Sequence, residues 1–499
     1  MEDCGEYNKA AQRNIRPFAL QLLEVQAMKC TKRFGFLLFT LLVFSSTGFT
    51  QQRWMRTYGT AGREQGYSGQ QTLDGGYIVA GTTDAGAGAY DFCLFKTNAS
   101  GDTLWTRTYG GTNYDWANSV QQTSDSGYII TGVTQSFGAG QGDVYLVKTN
   151  ASGDTLWTRT YGGTRPDIGT SVRKTTDGGY IITGWTANFG AGLSDFWLIK
   201  TNASGDTLWT RTYGGANNDQ ANTVQQTSDS GYIIVGGTTS FGAGQGDVYL
   251  VKTNASGDTL WTRTYGGANG DVGYSVRQTT DGGYIISGTT CSFGDTLGDV
   301  WLIKTNASGD TLWTRTYSGV LGDAGLSVQQ TADNGYIIAG TAGYGPPSGN
   351  RDVWLIKTNA TGDTLWTRTW GGSLDEAARS VQQTTDGGYF ITGCTDSYGA
   401  GGYDVWLIKT GVDGNVGVEI PLPHPSRLTP RAFSPVPNPF VSSASVPGHE
   451  RERFVLYDIS GRKVGTYPGA RIGEGVPAGV YLLRPEGENA KPVKIVKVR

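Results

Sequence analysis

The chain has 499 residues, of which 77 are Gly, 26 Tyr and 14 Trp, but only 2 are His. Glycine is present at about twice its usual share, yet 37% of residues are hydrophobic, enough apolar side chain to bury a core and to exclude disorder. So much Gly, Thr and Tyr suits short strands and tight turns rather than helices, and a net charge of −3 offers no field for a nucleic-acid partner.

Residues 1–50 read as an N-terminal extension and an export signal. Met28 is the expected start: Lys29, Lys32 and Arg33 form a basic region, Phe34 to Phe44 an apolar one, and Ser45 to Thr50 a small or polar stretch before Gln51. The apolar run is far shorter than the roughly 20 residues that span a bilayer, so no transmembrane helix is expected in the mature chain. Cleavage removes Cys4 and Cys30 and leaves Cys93, Cys291 and Cys394. These three do not recur from repeat to repeat, so no disulfide framework and no zinc site is expected.

From Trp54 to about residue 417 one unit repeats. The string Gly-Asp-Thr-Leu-Trp-Thr-Arg-Thr-Tyr begins at Gly101, Gly153, Gly205, Gly257 and Gly309, a period of 52 residues, and recurs at Gly362 with Trp in place of Tyr. A divergent copy opens the series at Trp54-Met55-Arg56-Thr57-Tyr58. Such a period belongs to a solenoid, a propeller or an array. In the second copy four strand-like runs follow one another: Ser119 to Gln122, Tyr128 to Thr131, Asp143 to Lys148 and Asp154 to Tyr161, here termed a, b, c and d. The a–b and c–d connections are short and rich in Asp, Asn and Gly, as hairpins require. No run is long enough for a crossover helix. Seven such units predict an all-β, seven-bladed β-propeller over residues 51–417. The phase supports closure, because a d strand precedes the first a-b-c set and the last set, Ser380 to Lys409, has no d strand after it. The N-terminal strand is therefore expected to complete the seventh blade and remove an open edge.

Within strand d, Trp157, Arg159 and Tyr161 alternate onto one face, either as ligand platforms or as a structural Arg held against aromatics. The Asn-x-Ser/Thr sequons at Asn98, Asn150, Asn202, Asn254, Asn306 and Asn359 are read as residues that tolerate the c–d turn. An acid stands ten residues after each strand-d Trp: Glu64, Asp115, Asp167, Asp219, Asp271, Asp323 and Glu376. Placed in the d–a connection, these acids make either a repeated bond to nearby backbone or a carboxylate ring at the channel mouth that attracts cations or sugar hydroxyls. The longer b–c connections each carry an aromatic: Phe137, Phe189, Phe241, Phe293, Tyr344 and Tyr398. The b–c and d–a loops emerge on the same face, and there the copies differ most. That face, with its aromatics and acids, is the expected ligand surface.

The Lys-Thr-Asn-Ala-Ser-Gly-Asp-Thr-Leu-Trp string at 148–157 resembles the docking pattern of bacterial quinoprotein-like propeller proteins. The resemblance implies the architecture alone. Enzymatic quinoproteins use eight blades, calcium ligands and often a vicinal disulfide, so no cofactor is expected here.

From Val418 the texture changes. A Pro-rich linker, 418–430, leads to residues 431–499, whose short strands predict a small Ig-like β-sandwich. The order Asn438-Pro439-Phe440, Leu456 to Val464, Pro477 to Arg484 and a basic last strand resembles a type IX secretion (Por-type) C-terminal sorting domain. That resemblance implies a partner, the secretion machinery, and a destination on the surface or in the medium of a Gram-negative-type bacterium. Three roles stay open for the propeller. It is a scaffold that binds a glycan or surface protein, a polysaccharide-acting enzyme of the carboxylate type, or a structural surface protein. Its lack of His removes Ser-His-Asp and His-metal chemistry, whereas a glycosidase needs only two acids.

Overall fold

A computed structural model describes residues 53–294, 297–319, 322–343, 351–416, 442–446, 453–459, 462–485 and 493–498. The expected export signal, the linker 418–430 and Tyr344 lie outside them.

Seven four-stranded antiparallel sheets, each ordered a-b-c-d, form the propeller. Blade 4 is typical, with strands Asp219–Gln226, Tyr232–Thr238, Asp247–Thr253 and Thr259–Tyr265. Strand c is buried along its whole length and strand b almost so, because neighbouring blades cover both of their faces. They consequently read as unbroken apolar runs rather than alternating ones. Strand d, Thr-Leu-Trp-Thr-Arg-Thr-Tyr, alternates between exposed and half-buried positions on the rim. The cores lie between blades: Ile181, Phe196 and Leu198 of blade 3 pack on Val224, Ile234 and Val251 of blade 4. The innermost strands of successive blades touch around the axis, strand a of blade 7 meeting that of blade 1.

Closure follows the sequence phase. Trp54–Tyr58 pairs antiparallel with Asp404–Thr410 of blade 7, Trp54 opposite Lys409 and Tyr58 opposite Val405. The first strand is thereby the outermost of the last blade, and the ring shuts on a hydrogen-bonded ladder.

Each joint is fastened by one clamp, in which strand d of a blade holds the c–d turn of the next. At the joint of blades 3 and 4, the Tyr213 hydroxyl donates to the Gly257 carbonyl at 2.7 Å and Arg211 Nη2 to Asp258 at 3.3 Å. The Arg211 guanidinium lies 5.6 Å from the centre of the Trp209 ring, and that ring meets Tyr232 edge-on at 5.9 Å. Gly257 sits so close over Trp209 that a Cβ would come within 2.7 Å of the indole, and its φ is +80°. In this turn Gly257 adopts the left-handed conformation, and the Asn254 side chain accepts the Ser256 and Asp258 N–H groups at 2.9 Å. The closing joint repeats the clamp, with Trp54 Nε1 donating to Ala99 O at 3.1 Å and Tyr58 to Gly101 O at 2.5 Å.

A second repeated device lies at the a–b turns. The strand-c lysines, such as Lys148, are buried and donate both to the next carbonyl and to a turn carboxylate: Lys148 Nζ is 2.7 Å from Thr149 O and 2.8 Å from Asp125.

In the C-terminal region the strands Arg453–Asp458, Lys463–Pro468, Gly479–Pro485 and Val493–Lys497 form one antiparallel sheet, the second strand pairing outside the first. Val446, Phe454, Leu456, Ile472, Leu483 and Ile495 fill its core. The second sheet that an Ig-like sandwich requires is not among the described residues. Cys93 and Cys394 are free thiols, both buried.

Two outcomes are expected. Gly257→Ala, strained by both φ and the indole, should cost about 1–3 kcal/mol in urea unfolding. Gly270→Ala, whose Cβ meets nothing, should change stability by less than about 0.5 kcal/mol. Partial burial raises the turn carboxylates, but hydrogen bonds from the turn Thr, the buried Lys and the turn Gly N–H outweigh it and pull Asp125, Asp177, Asp229 and Asp281 to about 2. A carboxylate held low contributes stability that is complete above its unfolded value, 3.8, and is lost as pH falls through about 2. These side chains are more than half exposed, which screens the effect. Changing all four to Asn should flatten the fall of the thermal midpoint between about pH 4 and about pH 2 relative to the parent chain.

Candidate functional site

The face opposite these turns is built from the b–c and d–a loops, and the two loop types are tied together. Tyr90 pairs with Tyr114, Ser194 with Asn218 and Gly246 with Gly270 in isolated parallel bridges that cross from one blade to the next. Backbone bonds such as Asp115 N–H to Tyr90 O, 2.7 Å, continue the link.

Six of the seven acids do not stand in the d–a connection. Glu64, Asp115, Asp167, Asp219, Asp271 and Glu376 are the first residues of strand a, and Asp323 immediately precedes one. All seven are buried. Each carboxylate turns inward and staples loops. Asp115 accepts the Gly111 N–H at 2.8 Å and the Ser136 hydroxyl at 2.6 Å, and Asp271 accepts Gly267 and Ser292 at 2.9 and 2.6 Å. Asp167 accepts Gly163 N–H and Asn188 Nδ2 at 2.8 and 2.6 Å, and Asp219 accepts Gly215 N–H, Ser240 and Thr238. Asp323 takes the Gly319 and Gly343 N–H groups. Glu64 binds Thr60 and Thr83, and Glu376 binds Gly372, Thr395 and Ser397. Burial raises the Asp167 and Glu376 carboxyls above the usual range. The geometry is thus the repeated backbone bond of the first sequence reading, and these carboxylates do not line an open ring at the channel mouth.

A second set of acids, missed in the sequence, opens strand c: Asp91, Asp143, Asp195, Asp247, Asp299, Asp352 and Asp404. Six of them face a strand-a acid across a d–a glycine, and at Asp299 the equivalent position is Ser318. A Cβ on Gly110 would lie 1.8 Å from Asp91 Oδ1 and 2.8 Å from Asp115 Oδ2. Burial, with the neighbouring acid adding to it, raises the Asp91, Asp195 and Asp247 carboxyls. The regular Asp at each strand-c start was the available signal. Among the described residues no group of three or more His, Cys, Asp or Glu is placed to hold a metal ion.

The aromatics divide. Phe137, Phe189, Phe241 and Phe293, in blades 2 to 5, are 44, 47, 43 and 45% exposed. Each is propped at 5.3–5.6 Å against an aromatic of its own strand c, respectively Tyr145, Trp197, Tyr249 and Trp301. Tyr398 differs: it is buried, and its hydroxyl donates to the Gly371 carbonyl at 2.7 Å, so it ties its b–c loop to the d–a connection. Tyr114, Leu193 and Leu297 are also exposed on this face. The strand-d Trp-Arg-Tyr trio is occupied by the inter-blade clamp.

Asp219→Ala strands the Gly215 N–H and the Ser240 and Thr238 hydroxyls. The expected loss is about 1–3 kcal/mol, measured by urea unfolding, with Asp219→Asn intermediate.

No family model matches the chain. The regulatory protein FlaEY of Caulobacter vibrioides is 28% identical over 225 residues, covering 39% of this chain and 23% of FlaEY's own length. Among solved structures, YCF48 bound to D1 peptide aligns at 10% identity and a TM-score of 0.44, covering 72% of this chain and 97% of that one. The Pan2 WD40 domain of Neurospora crassa aligns at 10% identity and a TM-score of 0.42, covering 70% of this chain and 89% of that one.

Proposed function

We propose that the protein is an exported binding scaffold whose b–c and d–a loop face takes a glycan or a surface protein. One observation carries this reading: four Phe rings, half exposed and propped on strand-c aromatics, recur at the same place in four consecutive blades. Rings already held in place lose little side-chain freedom on binding, and a series of equivalent rings suits a repeating or extended partner. The C–H faces of sugars and the apolar patches of proteins both stack on such rings. Support for export comes from the basic, apolar and small-residue order of 28–50 and from the resemblance of 431–499 to a type IX sorting domain. On this reading the secretion machinery is the second partner, and the destination is the cell surface or the medium.

The test is glycan-array binding by the secreted chain, beside a variant carrying Phe137→Ala, Phe189→Ala, Phe241→Ala and Phe293→Ala. A weakening of about tenfold or more, equivalent to about 1.4 kcal/mol, with an unchanged thermal midpoint is expected. Equal binding by both chains removes the aromatic face from the site. Silence of the array, with capture of a surface protein by the parent chain alone, assigns the face to protein.

A further inference from the structure

The axial channel carries a feature that the repeat itself throws into relief. In five blades the next-to-last residue of strand a is a glutamine whose side-chain oxygen accepts the N–H of the last strand-a residue in the following blade. Gln70 accepts from Gln122 at 3.0 Å, Gln121 from Lys174 at 2.6 Å, Gln225 from Gln278 at 2.7 Å, Gln329 from Gln383 at 2.7 Å and Gln382 from Gln71 at 2.8 Å. Blades 3 and 5 have arginine there instead, Arg173 and Arg277. A guanidinium has no acceptor, so each substitution gives up one link in the ring. At the first of these joints the Ser171 hydroxyl is also buried without a hydrogen-bond partner.

What replaces the lost links is positive charge. Each arginine donates Nη1 to the carbonyl just before it, Val172 or Val276, at 2.9 Å, which leaves most of its five donors uncommitted. Among the described residues neither is ion-paired. Both line a cavity of about 400 Å³ whose wall contains Lys174 and no Asp or Glu. Burial, and then the charge of Arg277, works against the charged form of Arg173. Two guanidiniums brought together without a carboxylate are costly unless an anion joins them.

We propose that this cavity, at the a–b turn end of the channel, binds a tetrahedral oxyanion of the phosphate or sulfate class between Arg173 and Arg277. The ligand is either the free ion or the same group esterified to a sugar, for which the volume leaves room. The site is separate from the aromatic face and does not depend on it.

The test substitutes the residue that the other blades already use, Arg173→Gln with Arg277→Gln, in the full secreted chain. Thermal midpoints are followed against sodium phosphate, sodium sulfate and glucose 6-sulfate, with sodium chloride holding ionic strength constant. The parent is expected to show a saturable rise with at least one of these, and the double variant a response weakened by about tenfold or more. Without anion, the variant's midpoint should equal or exceed the parent's, since glutamine restores the two missing acceptors. A response to the free ions assigns the free source, and a response to the sugar ester alone assigns the esterified one. The proposal is overturned if parent and variant respond alike, or if the parent shows no saturable response beyond chloride. Should the double variant fold poorly, the single Arg277→Gln chain, compared by titration calorimetry, decides in the same way.

Discussion

The structure depends on a glycine pressed against a tryptophan across each joint between blades. A blade alone exposes both faces of its apolar middle strands. It becomes stable only when its neighbours cover them, and the clamp sets the distance at which they do so. Because Gly257 has no side chain, the c–d turn approaches the Trp209 indole closely enough for Tyr213 and Arg211 to reach the turn's carbonyl and carboxylate. One small residue with positive φ thus permits an aromatic contact, a cation–π contact and two hydrogen bonds together. Repetition makes the arrangement nearly one-dimensional, each blade answering to its nearest neighbours. The strand Trp54–Tyr58 then turns the line into a ring.

That constraint divides the molecule into a fixed side and a free side. The a–b and c–d turns must preserve the clamp and the buried Lys–Asp contacts, so their sequences hardly change from copy to copy. The b–c and d–a loops answer to a looser rule. They need an inward carboxylate, glycine beside it and a backbone bridge to the next blade, and outside those points their residues vary. Side chains such as Phe189 and Leu193 therefore face outward without cost to the ring. The channel has the same logic. Its glutamines are joint fasteners, and the arginines of blades 3 and 5 stand out because they decline that role.

Buried carboxylates show how polar groups shape such a fold. A loop crossing between sheets leaves N–H groups that no strand satisfies. Asp115 and its counterparts supply the acceptors, at the cost of burying charge near a second acid. Such acids look like a cation-attracting ring in one dimension. In three, their oxygens are spent on the loops that surround them.

The blade count, the four strands of each unit and the closing role of the first strand were all legible in the sequence, because they follow from a period, from turn residues and from phase. The face that holds the variable loops was legible too, since strand parity decides it. Side-chain direction was not. Asp115 and Phe137 looked equally available, and only packing between blades turned one inward and left the other on the surface. Tyr398 and Phe241 hold equivalent places in their repeats, yet one is buried over Gly371 and the other is exposed, a difference that arises from neighbouring loops. The convergence of Arg173 and Arg277, about a hundred residues apart in the chain, depends on the curvature of the closed ring. Local sequence determined the strands and their order, because these rest on short-range chemistry. Tertiary structure alone decided which polar and aromatic groups meet, because those meetings are made across joints between blades.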